Sequence, residues 1–169
     1  METLFKILLL GMILVLAFVP NSVFGALFPF VIILTFLLLY GYWYMTYYVR
    51  LEDIFKVKPE LKDKIKFNIF CGKIPISNSN DITRGQMVIT ETEVLLFQRK
   101  RSRDRTPDSP CKEIIKIDVE SVSGIEFKKV AGARYGFVIF FDETQEVKFM
   151  SSRIRKKKQE ICEALKLNG

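Results

Sequence analysis

The chain has 169 residues, with 26 Lys or Arg against 19 Asp or Glu, and its net charge at pH 7 is +7. The first 50 residues contain only Glu2, Lys6 and Arg50 as charged side chains, so an apolar segment precedes a charged one whose positive balance favours acidic partners. The sequence contains no His, which removes the commonest general base and metal ligand.

The first apolar run supports two interpretations. In one, residues 4–19 form a short transmembrane helix that pairs with the next helix as a hairpin, with both ends in the cytoplasm. In the other, residues 1–25 are a signal peptide that is cleaved near Gly25. The bulky Phe24 beside that position and the weakly positive N-terminus favour the hairpin. Both interpretations place the charged segment in the cytoplasm.

The second apolar run, residues 26–48, is uncharged and long enough to cross a bilayer core as a helix, which takes about 20 residues. Its second half is crowded with Tyr and Trp side chains, which are typical of a membrane–water interface. Lys and Arg residues follow it, whereas residues 20–25 before it carry no charge. The positive-inside rule therefore places its C-terminal side in the cytoplasm.

A juxtamembrane linker is predicted at residues 51–63, between the transmembrane hairpin at 1–50 and a cytoplasmic domain at 64–169. The linker has apolar residues at roughly helical spacing, interrupted by Pro59. It could lie along the membrane surface as an amphipathic segment, or it could pack against the domain that follows. The spacing favours neither alternative.

From residue 65 the apolar residues alternate with polar ones, which predicts strands with one buried face. Clusters of Ser, Asn and Gly mark the loops between them. The predicted elements are a strand at 65–71, a long loop at 72–85, a hairpin at 86–99 that turns at 90–93, strands at 113–118 and 124–130, and a hairpin at 135–150 that turns around 143–145.

The end of the chain returns to helical spacing. Ser151 or Ser152 is the predicted N-cap, and Ile154, Ile161 and Leu165 fall on one face of the predicted helix. Such a helix would close one end of a partly open barrel or sandwich.

The strand order, the hairpin "GQMVITETEVLLF", the stretch "IKIDVESVSGIEF" and the terminal amphipathic helix together resemble a pleckstrin-homology-like domain of the GRAM or bacterial type, over residues 64–168. The terminal helix lacks the Trp usual in the eukaryotic family, and no basic pair opens the second strand at "GQMVIT", so the phosphoinositide signature is not carried over. Together with the two apolar runs before it, this resemblance leads us to expect an α+β membrane protein: two transmembrane helices, then a seven-stranded antiparallel barrel or sandwich capped by a C-terminal helix. It also implies a binding module for lipid headgroups or proteins.

Motifs for catalysis are absent from the sequence. Cys71, Cys111 and Cys162 are odd in number and widely spaced, which predicts free thiols in a reducing compartment rather than disulfides or a zinc site. Neither G-x-S-x-G nor a phosphate-binding glycine motif occurs. We therefore expect a protein that is not an enzyme and that uses no cofactor or metal.

Two basic clusters are the candidate binding surface. The first has the Pro, Ser and Asp content of a flexible loop. The second falls in the first turns of the predicted terminal helix, where the macrodipole disfavours cations unless an anion binds. Each cluster is equally consistent with a solvated surface that binds nothing. The residues are Arg99, Lys100, Arg101, Arg103, Arg105, Arg153, Arg155, Lys156, Lys157 and Lys158.

These features predict a membrane-anchored cytoplasmic module that acts as an adaptor or scaffold. Its basic clusters would orient it on anionic lipid or dock an acidic protein. The alternative is a lipid-sensing or lipid-handling protein with a headgroup site in the barrel. Nucleic acid is disfavoured because aromatic residues are not interleaved with the basic clusters. The expected location is the cell membrane, multi-pass for the hairpin and single-pass if residues 1–25 are cleaved.

Overall fold

A computed structural model describes residues 2–75, 82–142 and 145–167 of the chain. The chain divides into two compact units, Met1–Tyr48 and Val49–Gly169. Parts of two sequence predictions, the loop at 72–85 and the turn around 143–145, lie outside the described residues.

The N-terminal unit contains two long helices. These are α1 (Glu2–Phe18) and α3 (Phe28–Tyr47), and they are joined by the short helix α2 (Asn21–Phe24) and a 3₁₀ turn at Gly25–Leu27. A Cβ placed on Gly41 would lie 3.1 Å from the ring of Phe5. The ammonium of Lys6 lies 5.9 Å from the ring centroid of Tyr42. Because the beginning of α1 meets the end of α3, the two helices are antiparallel.

Within the part of the chain that the structure describes, one helical segment is long and apolar enough to cross a membrane, and Leu4–Phe18 is a shorter apolar helix. The expectation of two spanning helices is therefore supported for the helix predicted at 26–48 and not for the one at 4–19. The reason is length: the 17 residues of α1 rise about 26 Å, whereas a bilayer core measures about 30 Å.

The second unit is built on one seven-stranded antiparallel sheet with the strand order β4-β3-β2-β1-β7-β6-β5. The predicted seven strands and the C-terminal helix are confirmed. The elements are α4 (Leu51–Val57), a 3₁₀ turn (Pro59–Leu61), β1 (Phe67–Ile74), β2 (Thr83–Ile89), β3 (Glu93–Arg99), β4 (Cys111–Asp118), β5 (Val122–Ala131), β6 (Arg134–Phe141), β7 (Gln145–Met150) and α5 (Lys158–Ala164).

Thr90 shapes the predicted turn between β2 and β3. Its hydroxyl accepts a hydrogen bond from the backbone N–H of Glu93 at 2.9 Å and donates to the carbonyl of the same residue at 3.1 Å. The turn that follows β4 is hydrogen-bonded to this one, because the N–H of Val119 donates to the carbonyl of Thr92 at 2.7 Å. Local side-chain hydrogen bonds of this kind are the reason Thr suits turns.

The inner face of the sheet forms the main core together with the C-terminal segment. The rings of Phe137 and Phe149 stack there with their centroids 5.2 Å apart. Ile154, Ile161 and Leu165 are buried against this face, as the helical spacing predicted.

The terminal helix begins later than predicted. It begins at Lys158, and a 3₁₀ turn at Ile154–Lys156 precedes it. Ser151 is not its N-cap, because the Ser151 hydroxyl donates to the carbonyl of Phe70 on β1 at 3.0 Å. Ser152 also precedes the 3₁₀ turn and is therefore separated from the start of α5, so neither Ser151 nor Ser152 caps this helix.

A second core lies on the outer face of β2 and β3, where α4 packs. Ile54 of α4 is fully buried among residues that include Val88, Leu95 and Phe97. Both strands are therefore buried on two faces over part of their length, which is why β3 contains consecutive apolar residues instead of an alternation. Of the two alternatives for the predicted linker, the structure shows the packed one.

Candidate functional site

Arg99 of the first basic cluster is the last residue of β3 and faces α4. Its guanidinium pairs with the carboxylate of Asp53 at 3.4 Å, and each side chain is only 19% exposed. The thiol of Cys111 donates to the Asp53 carbonyl at 3.5 Å. Burial raises the pKa of the Cys111 thiol to about 11, and the negative charge of Asp53 adds to the effect. Arg99 therefore helps to fix α4 and is not a freely presented cation.

The loop from Lys100 to Pro110 is held by its own hydrogen bonds. The guanidinium of Arg105 donates to the Lys100 carbonyl through Nη2 at 2.9 Å and through Nε at 3.3 Å. The ammonium of Lys100 in turn donates to the Ser109 hydroxyl. The loop that composition predicted to be flexible thus has a defined internal arrangement, and two of its cations are used to build it.

Arg101 and Arg103 are the remaining cations of the first cluster. They lie at a short 3₁₀ turn, Ser102–Asp104, and both are exposed. Lys56 of α4 reaches the other side of the loop, where its ammonium donates to the Pro107 carbonyl at 3.4 Å. The exposed charge of this loop is therefore held at a fixed place beside α4.

A second ion pair fixes the far end of α4. The ammonium of Lys58 lies 2.5 Å from the carboxylate of Glu113 on β4, and both side chains are about one quarter exposed. At the near end, the Asp53 carboxylate accepts a hydrogen bond from the backbone N–H of Arg50 at 3.3 Å, which completes the first turn of α4. Polar contacts at both ends and apolar packing between them thus hold α4 on the sheet.

The second basic cluster lies on the other side of the sheet, around the 3₁₀ turn and the start of α5. The Arg155 guanidinium stacks over the Tyr135 ring, 3.9 Å from its centroid, and the Lys158 ammonium lies 5.2 Å from the centroid of Phe127. Lys157 pairs with Glu160. The remaining two members of the cluster, Arg153 and Lys156, are exposed.

Lys129 belongs to this surface although the analysis of the sequence did not select it. It is directly opposite Tyr135 in the β5–β6 register, and Phe127 is opposite Phe137. Lys129 and Phe127 are two residues apart and therefore share a face of β5. The alternation in "IEFKKV" was a signal that could have found it.

The structure does not bring the two clusters together. The loop of Arg101 and Arg103 lies beside α4 on the outer face, next to β4 at one edge of the sheet. Lys158 lies over Phe127 of β5, at the other edge of the sheet, and Arg155 lies over Tyr135 of the neighbouring β6. The ten predicted residues therefore form two separate surfaces. Among the described residues, no group of three or more His, Cys, Asp or Glu could hold a metal ion.

No family model matches the chain, and no curated protein matches it. Among solved structures, it is similar to the C-terminal domain of an unknown protein from Leishmania infantum, with a TM-score of 0.49 and 11% identity over 69% of this chain and 98% of that one. It is also similar to the PH and C1 domains of the Vav1 exchange factor (TM-score 0.42, 9% identity, 62% of this chain and 25% of that one). A third similar structure is the linker-DH/PH region of p115-RhoGEF (TM-score 0.41, 16% identity, 64% and 31%). Because these TM-scores lie below 0.5, the description of the fold rests on strand order and register.

Proposed function

We propose that the chain is a membrane-anchored adaptor whose second unit is a pleckstrin-homology-like binding module on the cytoplasmic side, without a catalytic role. The strand order β4-β3-β2-β1-β7-β6-β5, followed by a C-terminal helix packed on the inner face, supports this assignment. The inner face is filled by aromatic and aliphatic side chains, which favours a binding module over a protein that carries a lipid in its barrel.

The N-terminal unit supplies the membrane anchor in this proposal. Helix α3 has the length and composition of a spanning helix, and Lys and Arg follow it on the side that the positive-inside rule assigns to the cytoplasm. The contact of Phe5 with Gly41 supports the hairpin interpretation, because a cleaved signal peptide would not need a fitted partner on α3. The intact mass of the purified protein tests this point. The hairpin requires the full 19.7 kDa, and loss of residues 1–25 would leave a single-pass protein.

The observation that carries the proposal is the contact of the basic loop with α4, through the Arg99–Asp53 ion pair and the hydrogen bond from Lys56 to the Pro107 carbonyl. Only Tyr48, Val49 and Arg50 separate α3 from α4, so the chain keeps the first residue of α4 within about 14 Å of the end of α3. Arg101 and Arg103 lie on the loop that contacts α4 and are exposed, and in this proposal their charge faces the membrane surface. Each such cation gains about 1 kcal/mol from an anionic cytoplasmic leaflet. We infer that the loop orients the module on the membrane.

A fluorescence experiment on the full chain in lipid nanodiscs tests this orientation. A fluorophore is attached at position 102 in a Ser102→Cys, Cys162→Ser variant, and a quencher is carried by the lipid headgroups. We expect quenching in discs that contain phosphatidylserine. It should weaken between 0.15 M and 1 M salt, because the screening length falls from about 8 Å to about 3 Å. Replacing Arg101 and Arg103 by Gln should weaken it as well.

A fluorophore at the exposed Glu163 of α5 is the matched control, and its quenching should not depend on the charge of the lipid. Equal quenching of the loop in phosphatidylserine and phosphatidylcholine discs would refute the proposed orientation. A dependence on lipid charge at both positions would indicate diffuse attraction of the whole module instead of a docked loop.

A further inference from the structure

We propose that Thr106, on the loop between β3 and β4, is a phosphorylation site, and that its phosphate releases the loop from an anionic membrane. The modifying partner is a protein kinase that transfers the γ-phosphoryl group of ATP to a residue followed by proline. Thr106 precedes Pro107 and Ser109 precedes Pro110, so the loop contains two acceptors of this type. The structure of the loop selects Thr106, whereas the release rests on the proposed function, because it acts on the lipid contact of the same loop.

Thr106 is accessible to an enzyme, whereas Ser109 is not. Thr106 and Pro107 are both exposed. Pro110 is buried, and Ser109 is half-buried. The Ser109 hydroxyl also accepts a hydrogen bond from the ammonium of Lys100, whose backbone N–H donates to the Pro110 carbonyl at 3.1 Å. A kinase must enclose the acceptor and the residue after it, so of the two candidates the folded loop presents only Thr106.

The backbone around Thr106 has the extended form in which a kinase binds its substrate. Arg105, the preceding residue, is extended with φ −91° and ψ 123°. Pro107 restricts Thr106 itself to the same region of backbone conformation, because the proline ring clashes with a helical residue before it. The acceptor segment therefore needs little rearrangement to enter an active site.

The Thr106 hydroxyl keeps its proton available. Its oxygen accepts the backbone N–H of Ser109 at 3.1 Å, and it donates to no residue that the structure describes. In the transfer, Thr106 Oγ1 forms a bond to the γ-phosphorus of ATP, the bond from this phosphorus to its bridging oxygen breaks, and ADP leaves. The hydroxyl proton passes to a carboxylate of the kinase. The ester oxygen still has a lone pair for the Ser109 N–H, so the turn survives the modification.

One phosphate cancels the net charge of the loop. Residues 100–110 contain four basic and two acidic side chains, so their net charge is +2. A phosphothreonine adds about −1.5 to −2 at pH 7. The chain keeps the Cα atom of Thr106 within about 11 Å of that of Arg103, which is close to the screening length of about 8 Å at physiological salt. The phosphate therefore opposes the attraction of Arg103 to an anionic leaflet.

The rates of phosphorylation at the two hydroxyls test the site. The full chain in neutral phosphatidylcholine nanodiscs is incubated with a mitogen-activated protein kinase and Mg-ATP, and fragmentation mass spectrometry assigns each phosphate to one residue. We expect Thr106 to react at least about tenfold faster than Ser109, because Ser109 becomes accessible only when the loop opens. A synthetic peptide of residues 97–113 is the matched control, and its two hydroxyls should react at similar rates.

Equal rates at Thr106 and Ser109 in the folded chain would overturn the site, as would phosphorylation of the peptide but not of the folded chain. A Thr106→Val variant should lose nearly all of the phosphate, and a Ser102→Ala variant should lose none. Phosphate retained by Thr106→Val would place the modification elsewhere and would contradict the proposal.

Headgroup quenching of a fluorophore at position 102 measures the release. In phosphatidylserine discs, the phosphorylated chain should lose most of the quenching that depends on lipid charge. Thr106→Glu should lose about half of it, because a carboxylate carries about half the charge of a phosphate. Thr92→Glu is the matched control and should leave the quenching unchanged. It adds the same charge at an exposed threonine before β3, whereas the loop follows the other end of this strand, about 24 Å away.

These outcomes separate the release from the proposed function. Quenching that ignores lipid charge before phosphorylation would refute the proposed orientation and the release together, while the rates at Thr106 and Ser109 still decide the site. Quenching that depends on lipid charge and survives complete phosphorylation would refute the release alone. Equal losses in Thr106→Glu and Thr92→Glu would show that total charge acts and not the position of the phosphate, which also contradicts the release.

Discussion

Replacing Ile54 by Ala measures how far α4 belongs to the folded unit. The Ile54 side chain is fully buried in the outer core, between α4 and the sheet. Removing a buried aliphatic side chain typically costs about 2 to 5 kcal/mol, as lost transfer energy plus the cavity that remains. We expect about 3 kcal/mol here, because α4 is one short helix and can shift partly into the space. For a unit of this size that loss lowers the melting temperature by about 10 °C.

Urea unfolding of residues 49–169, followed by far-ultraviolet circular dichroism, gives the free energy of unfolding for wild type and variant. The matched control is Glu52→Ala, on the exposed side of the same helix, which should change it by less than about 0.5 kcal/mol. If Ile54→Ala is as mild as the control, α4 is a solvated linker and the arguments that place the basic loop beside it fail. Loss of cooperativity in the variant alone would instead show that the outer core unfolds first.

Three other outcomes can be measured on the same unit. Gly136→Ala should lower the free energy of unfolding in urea by at least about 2 kcal/mol, because a Cβ there would lie 2.0 Å from a carbonyl oxygen of β7. Gly124→Ala, with open space around it, should be nearly neutral. Equal effects of the two substitutions would contradict the close approach at Gly136. Lys66, 3.0 Å away, lowers the pKa of Glu91, so their pair stabilises the fold above the unfolded carboxyl pKa and is lost as the pH falls through the lowered value. The difference in urea midpoint between wild type and Glu91→Gln should therefore shrink between about pH 6 and pH 3, and a constant difference would count against the pair. A membrane-impermeant maleimide should leave Cys162 unlabelled in intact cells, because the proposed location is cytoplasmic, and should label it after lysis. Cys71 and Cys111 are buried and should not react in the folded protein, so Cys162 is the reporter. Labelling of Cys162 before lysis would show that the second unit is extracellular.

The strands and turns could be predicted from the sequence because their signals are local. Alternation in "GIEF" places Ile125 and Phe127 on the inner face, and Thr90 marks a turn that its own hydrogen bonds close. The position of α4 could not be predicted in this way, because a helix with apolar residues among charges has the same spacing on a membrane and on a sheet. The run "VLLF" was a usable signal, since strands buried on both faces lose their alternation.

The binding surfaces were only partly predictable, because residues distant in the sequence determine whether a basic side chain is neutralised or exposed. Arg99 and Arg103 are neighbours in one basic run, yet Arg99 is neutralised by Asp53, 46 residues earlier, whereas Arg103 is exposed. The opposite holds for Lys129, which joins Arg155 only through strand register and stacking on Tyr135. Counting basic residues along a stretch of sequence therefore overestimates the exposed positive charge of the loop beside α4. It also misses Lys129 on the surface that contains Arg155.

The connection between α3 and α4 is short, which would limit how far the second unit can reach from a bilayer that α3 spans. A flexible linker of 30 residues would let a domain explore roughly 30 Å, and its effective concentration for a membrane partner would fall with that volume. Here the only residue between α3 and the second unit is Tyr48, and the chain adds a few ångströms at most. If α3 anchors the chain as proposed, a partner of the module would have to come to the membrane itself, and lengthening this connection would lower the partner's local concentration without changing a single contact.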